Sequence, residues 1–99
     1  MIVTQLEGLV DPDQWETLKE EFRAACRQLP AGIYQSYLIQ DTADQELWRL
    51  FTVWHSREAL QEYRSSVDAP AAYVIFGRAG VLDPELTFFD VLEHASGDR

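Results

Sequence analysis

Apolar positions along this chain switch between a two-residue and a helical period, and the switches mark its elements. Ile2-Val3-Thr4-Gln5-Leu6-Glu7-Gly8-Leu9-Val10 alternates loosely and predicts a strand that stops at Asp11-Pro12-Asp13. Asp11 is placed to cap a helix with Pro12 at its first position, where a missing N–H costs nothing. Gln14 then completes a capping box. Trp15, Leu18, Phe22, Ala25, Cys26 and Leu29 recur at helical spacing, with Glu16, Lys19, Glu20, Arg23 and Arg27 outside, until Leu29-Pro30-Ala31-Gly32 breaks the run.

The run 33–39 is rich in β-branched and aromatic residues and predicts a second strand. A polar turn over 40–46 separates it from Leu47-Trp48-Arg49-Leu50-Phe51-Thr52-Val53-Trp54, the strongest strand signal in the chain. Two strands joined by a short polar loop pair as an antiparallel hairpin. Ser56 caps a second helix with Leu60, Tyr63 and Val67 on its inner face. The stretch 68–84 is the least defined: Asp68-Ala69-Pro70 can open a short helix through 71–76, and Gly77, Gly80 and Pro84 interrupt the chain beyond it. A last strand is predicted over 87–93. The order β-α-β-β-α-β belongs to the α+β class and is the ferredoxin-like arrangement, a four-stranded antiparallel sheet with both helices on one face. One domain over 1–94 and a flexible C-terminal tail over 95–99 complete the expected organisation.

A sheet with one wet face alternates apolar and polar residues cleanly, and these strands do not. Trp48, Leu50, Thr52 and Trp54 share one face of the third strand, while Leu47, Phe51 and Val53 dominate the other. In the last strand Phe89 and Val91 lie opposite Phe88 and Leu92. Two helices cover one face only. The expectation is a homodimer in which a second copy packs sheet to sheet through a two-fold axis.

Composition narrows the partners. The chain has 99 residues, 8 Lys+Arg against 17 Asp+Glu and a net charge of −9, so a nucleic-acid surface is excluded and an anionic membrane disfavoured. Apolar residues make up 46%, too many for disorder, and no run approaches the roughly 20 residues of a membrane span. The N-terminus lacks the basic-then-apolar pattern of a signal peptide, and one cysteine excludes an internal disulfide and a Cys-based zinc cage. A cytoplasmic location is expected.

The hairpin from Gly32 to Trp54, the phrase Val53-Trp54-His55-Ser56-Arg57-Glu58-Ala59-Leu60 and the placement of Tyr63 resemble the antibiotic biosynthesis monooxygenase family over roughly residues 1–93. The resemblance implies a dimeric α/β barrel of two ferredoxin-like protomers, each with a pocket between sheet and helices. It also implies varied activities: oxygenation of polyketide aromatics with O2 and no metal or flavin, haem cleavage, and quinone- or signal-related roles. The haem-degrading branch uses an Asn on the first strand, the Trp on the third and a His on the next helix. Trp54 matches the Trp, but this chain has no Asn and no His between His55 and His94, which argues against haem degradation. Thr52 and Tyr63 stand where many relatives carry an acidic residue and a His.

Trp54, at a strand end before a helix, can wall a pocket and stack on a planar ligand, or serve as a core or interface aromatic. Trp54 and Tyr63 are the candidate catalytic residues; Tyr37, Tyr73 and Arg49 are the candidate substrate-binding residues. Tyr34, Tyr37, Tyr63 and Tyr73 supply phenols that can orient a polyphenolic substrate. Arg49 can neutralise a carboxylate or enolate, or pair with one of the many acids. His55 points away from Trp54's face, His94 lies near the end, and the two lack metal-ligand spacing. Cys26 reads as a small core residue. Phosphate-loop, dinucleotide and nucleophile-elbow motifs are absent, so no cofactor is expected. These observations set a cofactor-independent monooxygenase of a small planar aromatic or quinol-like molecule against a non-catalytic ligand-binding or structural dimer. Haem binding without degradation is a weaker third reading.

Overall fold

Four strands form in the computed structural model, which describes residues 1–97: β1 (Ile2–Leu9), β2 (Ile33–Gln40), β3 (Leu47–Trp54) and β4 (Glu85–Asp90). They make one antiparallel sheet in the order β2-β3-β1-β4. Between them run α1 (Trp15–Ala25), α2 (Arg57–Ser66) and α3 (Ala71–Arg78), with single 3-10 turns at Pro12–Gln14 and Cys26–Gln28. This is the expected ferredoxin-like order, with α3 the extra helix before the last strand. Of the expected 95–99 tail, Ala95, Ser96 and Gly97 are exposed and without regular structure, and the last two residues lie outside the described residues.

The pattern on β3 explains the layering. Trp48, Leu50, Thr52 and Trp54 are each about 5% exposed or less, because their face carries the helices. Register places Trp48 opposite Gly8 and Trp54 opposite Ile2, so the strand pair runs the full width of the core. Gly8 is required there: a Cβ on it would lie 2.7 Å from Val81 Cγ1, in the segment that returns over β1 after α3. That return begins at Gly80, whose φ of 86° is left-handed backbone, and the Val81 N–H donates to the Phe76 carbonyl at 2.9 Å.

Three local expectations are corrected. Asp11 caps as expected, accepting from the Asp13 N–H at 2.9 Å, but Gln14 makes no capping bond. The first turn is 3-10, which brings a different amide within reach of the aspartate. The short helix expected to end at Phe76 runs on to Arg78 and buries Ile75 and Phe76. The last strand lies earlier than the predicted 87–93, because its ladder with β1 starts at Glu85 opposite Glu7 and reaches the start of β1 at Asp90 opposite Ile2. Val91 continues only as one bond, from its N–H to the Met1 carbonyl at 3.1 Å.

The face without helices is mixed. Leu9, Tyr37, Ile39 and Phe89 are exposed on it, whereas Val3 and Val53, paired across β1 and β3, are buried. Arg49 lies between Glu7 at 3.2 Å and Asp41 at 3.3 Å. Among the described residues no helix is long and apolar enough to cross a membrane.

Candidate active site

Trp54 is fixed from three sides. Its strand pairs with β1, Ser56 starts α2 by accepting from the Ala59 N–H at 3.0 Å, and its indole N–H donates to Thr4 Oγ1 at 3.1 Å. The chain leaves β3 and turns at once into α2, which returns Tyr63 over the indole. The two rings lie 5.2 Å apart at 38°. Pro70, at the N-cap of α3, has no side chain able to accept from the helix; the Tyr63 hydroxyl takes that part, accepting from the Ala71 N–H at 2.8 Å. Among the described residues that hydroxyl's own proton has no protein acceptor.

A cavity of about 380 Å³ opens beside this pair, between the sheet and all three helices. It lies at the small end of the roughly 300–1,000 Å³ range of ligand pockets, a size for one small molecule. Its floor includes a row across the sheet that carries hydroxyls, beside an apolar row of Leu50, Leu6 and Leu86. Strand register sets Ser36 opposite Thr52, Thr52 opposite Thr4, and Thr4 opposite Phe88, and all four line the cavity. The Ser36 and Thr52 hydroxyls are 3.0 Å apart and share a hydrogen bond. Three hydroxyls in line, set in a mostly apolar cavity, can orient the polar edge of a flat ligand. Phe22 and Leu29 from the α1 side, and Tyr73 and Ile75 from α3, supply much of the apolar wall. Cys26 also lines it, and burial pushes its thiol pKa up, which keeps it protonated and a poor nucleophile.

Of the residues singled out from the sequence, Trp54, Tyr63 and Tyr73 share this cavity. Tyr37 and Arg49 do not. They alternate with Ser36 and Leu38 on β2 and with Trp48 and Leu50 on β3, so they occupy the opposite face of the sheet. There the Tyr37 hydroxyl donates to Gln35 Oε1 at 2.6 Å and Arg49 is held by its two acids. Glu7, and secondarily Asp41, raise the pKa of that guanidinium further. His55 is exposed against Tyr34, ring centroids 5.3 Å apart, outside the cavity, and His94 is exposed. Among the described residues no three His, Cys, Asp or Glu side chains gather as a metal set.

Thr4, Ser36 and Arg64 were not legible in the sequence as site residues. The hydroxyl row depends on register across three strands, and Arg64 looks like any outer-face charge on a helix. The structure sets its guanidinium 5.3 Å from the Phe88 ring centroid at the cavity wall.

Residues 1–73 match the family model described as antibiotic biosynthesis monooxygenase. Among solved structures the chain is similar to Rv0793 from Mycobacterium tuberculosis, at 22% identity over 96% of this chain and 98% of that one, with a TM-score of 0.69. It is also similar to an arginine-to-serine variant of MhuD with two manganese protoporphyrin IX molecules bound per active site, at 20% identity, 98% and 100% coverage and a TM-score of 0.73. A conserved protein from Methanosarcina mazei Go1 superposes with a TM-score of 0.70 at 13% identity, covering 89% of each chain. At these identities the likeness is one of fold. A search of curated proteins returns no match.

Proposed function

This chain belongs to the antibiotic biosynthesis monooxygenase family, and on that premise we propose that it oxygenates a small planar aromatic or quinol-like substrate with O2 in the cavity beside Trp54, without a cofactor. The observation that carries the reading is the enclosed pairing of Trp54 and Tyr63 over a row of hydroxyls. In such a reaction the substrate is the reductant. In an anthrone, or in the keto tautomer of a phenol or quinol, a CH2 becomes a carbonyl, one atom of O2 enters the product, and the other leaves as water with the two hydrogens of that CH2. The protein's part is to stack the rings on Trp54, hold the oxygenated edge at Thr4, Ser36 and Thr52, and exclude bulk water. Tyr63, whose hydroxyl already accepts one bond and has its proton free, can relay a proton, giving its own to the departing oxygen and regaining one from the substrate CH2, so that the balance is unchanged.

Oxygen uptake across a panel of anthrone- and quinol-type substrates tests the proposal. The expected result is one O2 consumed per substrate, with kcat/KM about tenfold lower in Trp54→Phe, equivalent to about 1.4 kcal/mol. Absence of uptake across the panel removes it. A second reading, a ligand-binding barrel without chemistry, is favoured by one observation: among the described residues no carboxylate or imidazole lines the cavity to act as a strong general base. Binding of panel members without oxygen uptake selects that reading.

The exposed Tyr37, Ile39 and Phe89 on the helix-free face support assembly of two copies through that face. A particle of 11.4 kDa in dilute buffer would exclude it.

A further inference from the structure

Acidic residues outnumber basic ones 17 to 8 in this chain, yet among the described residues no acid lines the cavity. Among the described residues the single formal charge in its wall is the cation of Arg64, in the last turn of α2. Most basic side chains elsewhere are engaged: Lys19 with Glu16, Arg49 with Glu7 and Asp41, Arg57 with Asp90, and Arg78 with Glu21. Among the described residues Arg64 has no carboxylate within ion-pair distance, although the chain is rich in them. Its guanidinium rests instead near Phe88, the β4 member of the floor row, whose ring is 44% exposed at the edge of the enclosure. A guanidinium seated against a ring keeps its N–H edges free for an oxyanion. The local charge is thus opposite in sign to that of the whole molecule, and only at the rim of an apolar cavity.

We propose that the cavity selects planar aromatic anions, with the rings inside against Trp54 and the oxyanion at its rim on Arg64. This deepens the reading given above and rests on the same cavity. Where the anion is the phenolate or enolate of the reacting ring system itself, it also answers the lack of a base among the described lining residues, since the proton is already lost before binding.

Three probes of one shape separate the possibilities: 1-naphthylacetate, its neutral amide, and 1-naphthylmethylammonium, titrated calorimetrically into wild type, Arg64→Gln and Arg64→Lys. The acetate is expected to bind about tenfold tighter than the amide, the margin of a charge-assisted over a neutral hydrogen bond. The ammonium should bind weakest. Arg64→Gln should bring the acetate-to-amide ratio to about one, whatever it does to amide affinity, and Arg64→Lys should keep part of the preference. Equal binding of acetate and amide by wild type, or a ratio unaffected by Arg64→Gln, overturns this inference alone. Failure of all three probes to bind overturns it together with the cavity's assignment as a ligand site. Anion preference without oxygen uptake leaves it standing and removes only the proposed reaction.

Discussion

The two ends of the helix-covered face are built from the same strands, and they differ in what fills them. At one end Leu6, Val10, Leu18, Trp48 and Phe76 form the larger buried cluster. Leu18 and Phe76 are wholly inaccessible there, Trp15 packs tilted at 58° against Trp48 with ring centroids 5.8 Å apart, and the Trp15 indole donates to the Val10 carbonyl at 2.9 Å. At the other end only Ile2, Trp54 and Leu60 are buried together, and the space between them and the inner members Leu6, Leu50 and Ile75 of the larger cluster stays open as the cavity. α1 and α3 pack on each other and span both ends, whereas α2 lies on the open end over Trp54. The difference teaches a division of labour. Close packing at one end holds the sheet and helices together, which lets the other end leave a void with hydroxyls in it.

The largest break in this comparison is Phe76→Ala. Removing a buried ring from the packed end is expected to cost about 3–5 kcal/mol, read from urea denaturation. A loss below about 1 kcal/mol would show that the packed end is not the anchor.

At the open end Tyr63→Phe keeps the ring against Trp54 and deletes the acceptor for the Ala71 amide. The expected cost is about 1 kcal/mol, with faster hydrogen exchange at Ala71 and its neighbours but not at Leu18. Exchange equal to wild type at Ala71 would mean that the phenol does not hold α3.

The smallest effect belongs to the β2–β3 turn beside the packed end. Amide donors from Asp44 first, then Ala43, with help from Arg49, hold the Asp41 carboxyl pKa below its ordinary value. A folded pKa lowered in this way contributes stability above the ordinary carboxylate range, and that stability is lost as pH falls through the folded value. The difference in urea midpoint between wild type and Asp41→Asn should therefore be present at neutral pH and close on acidification. A difference that is constant with pH would assign the effect to the turn's shape and not to its charge.

How much of this was legible depends on the range of the interactions. β3 was readable to its ends, because eight consecutive strand-forming residues sit between a polar turn and a capping serine. α3 was only half readable: the stop at Gly80 depends on a left-handed turn that folds Val81 back onto Gly8. Among site residues, Trp54 stood out by its place at a strand end. Tyr37 and Arg49 looked equally suitable by type, and alternation along their strands carried them to the other face.

Local periodicity, caps and breakers by themselves determined the element order, the ferredoxin-like fold class and the family resemblance, since each needs only neighbours within a turn or two. The tertiary structure alone decided the site. Trp54 meets Thr4 across a sequence separation of 50, Ser36, Thr52, Thr4 and Phe88 line up only through strand register, and Arg64 reaches the cavity only because α2 folds back over β3. Such meetings are set by long-range pairing and packing, to which residue type and spacing along the chain are blind.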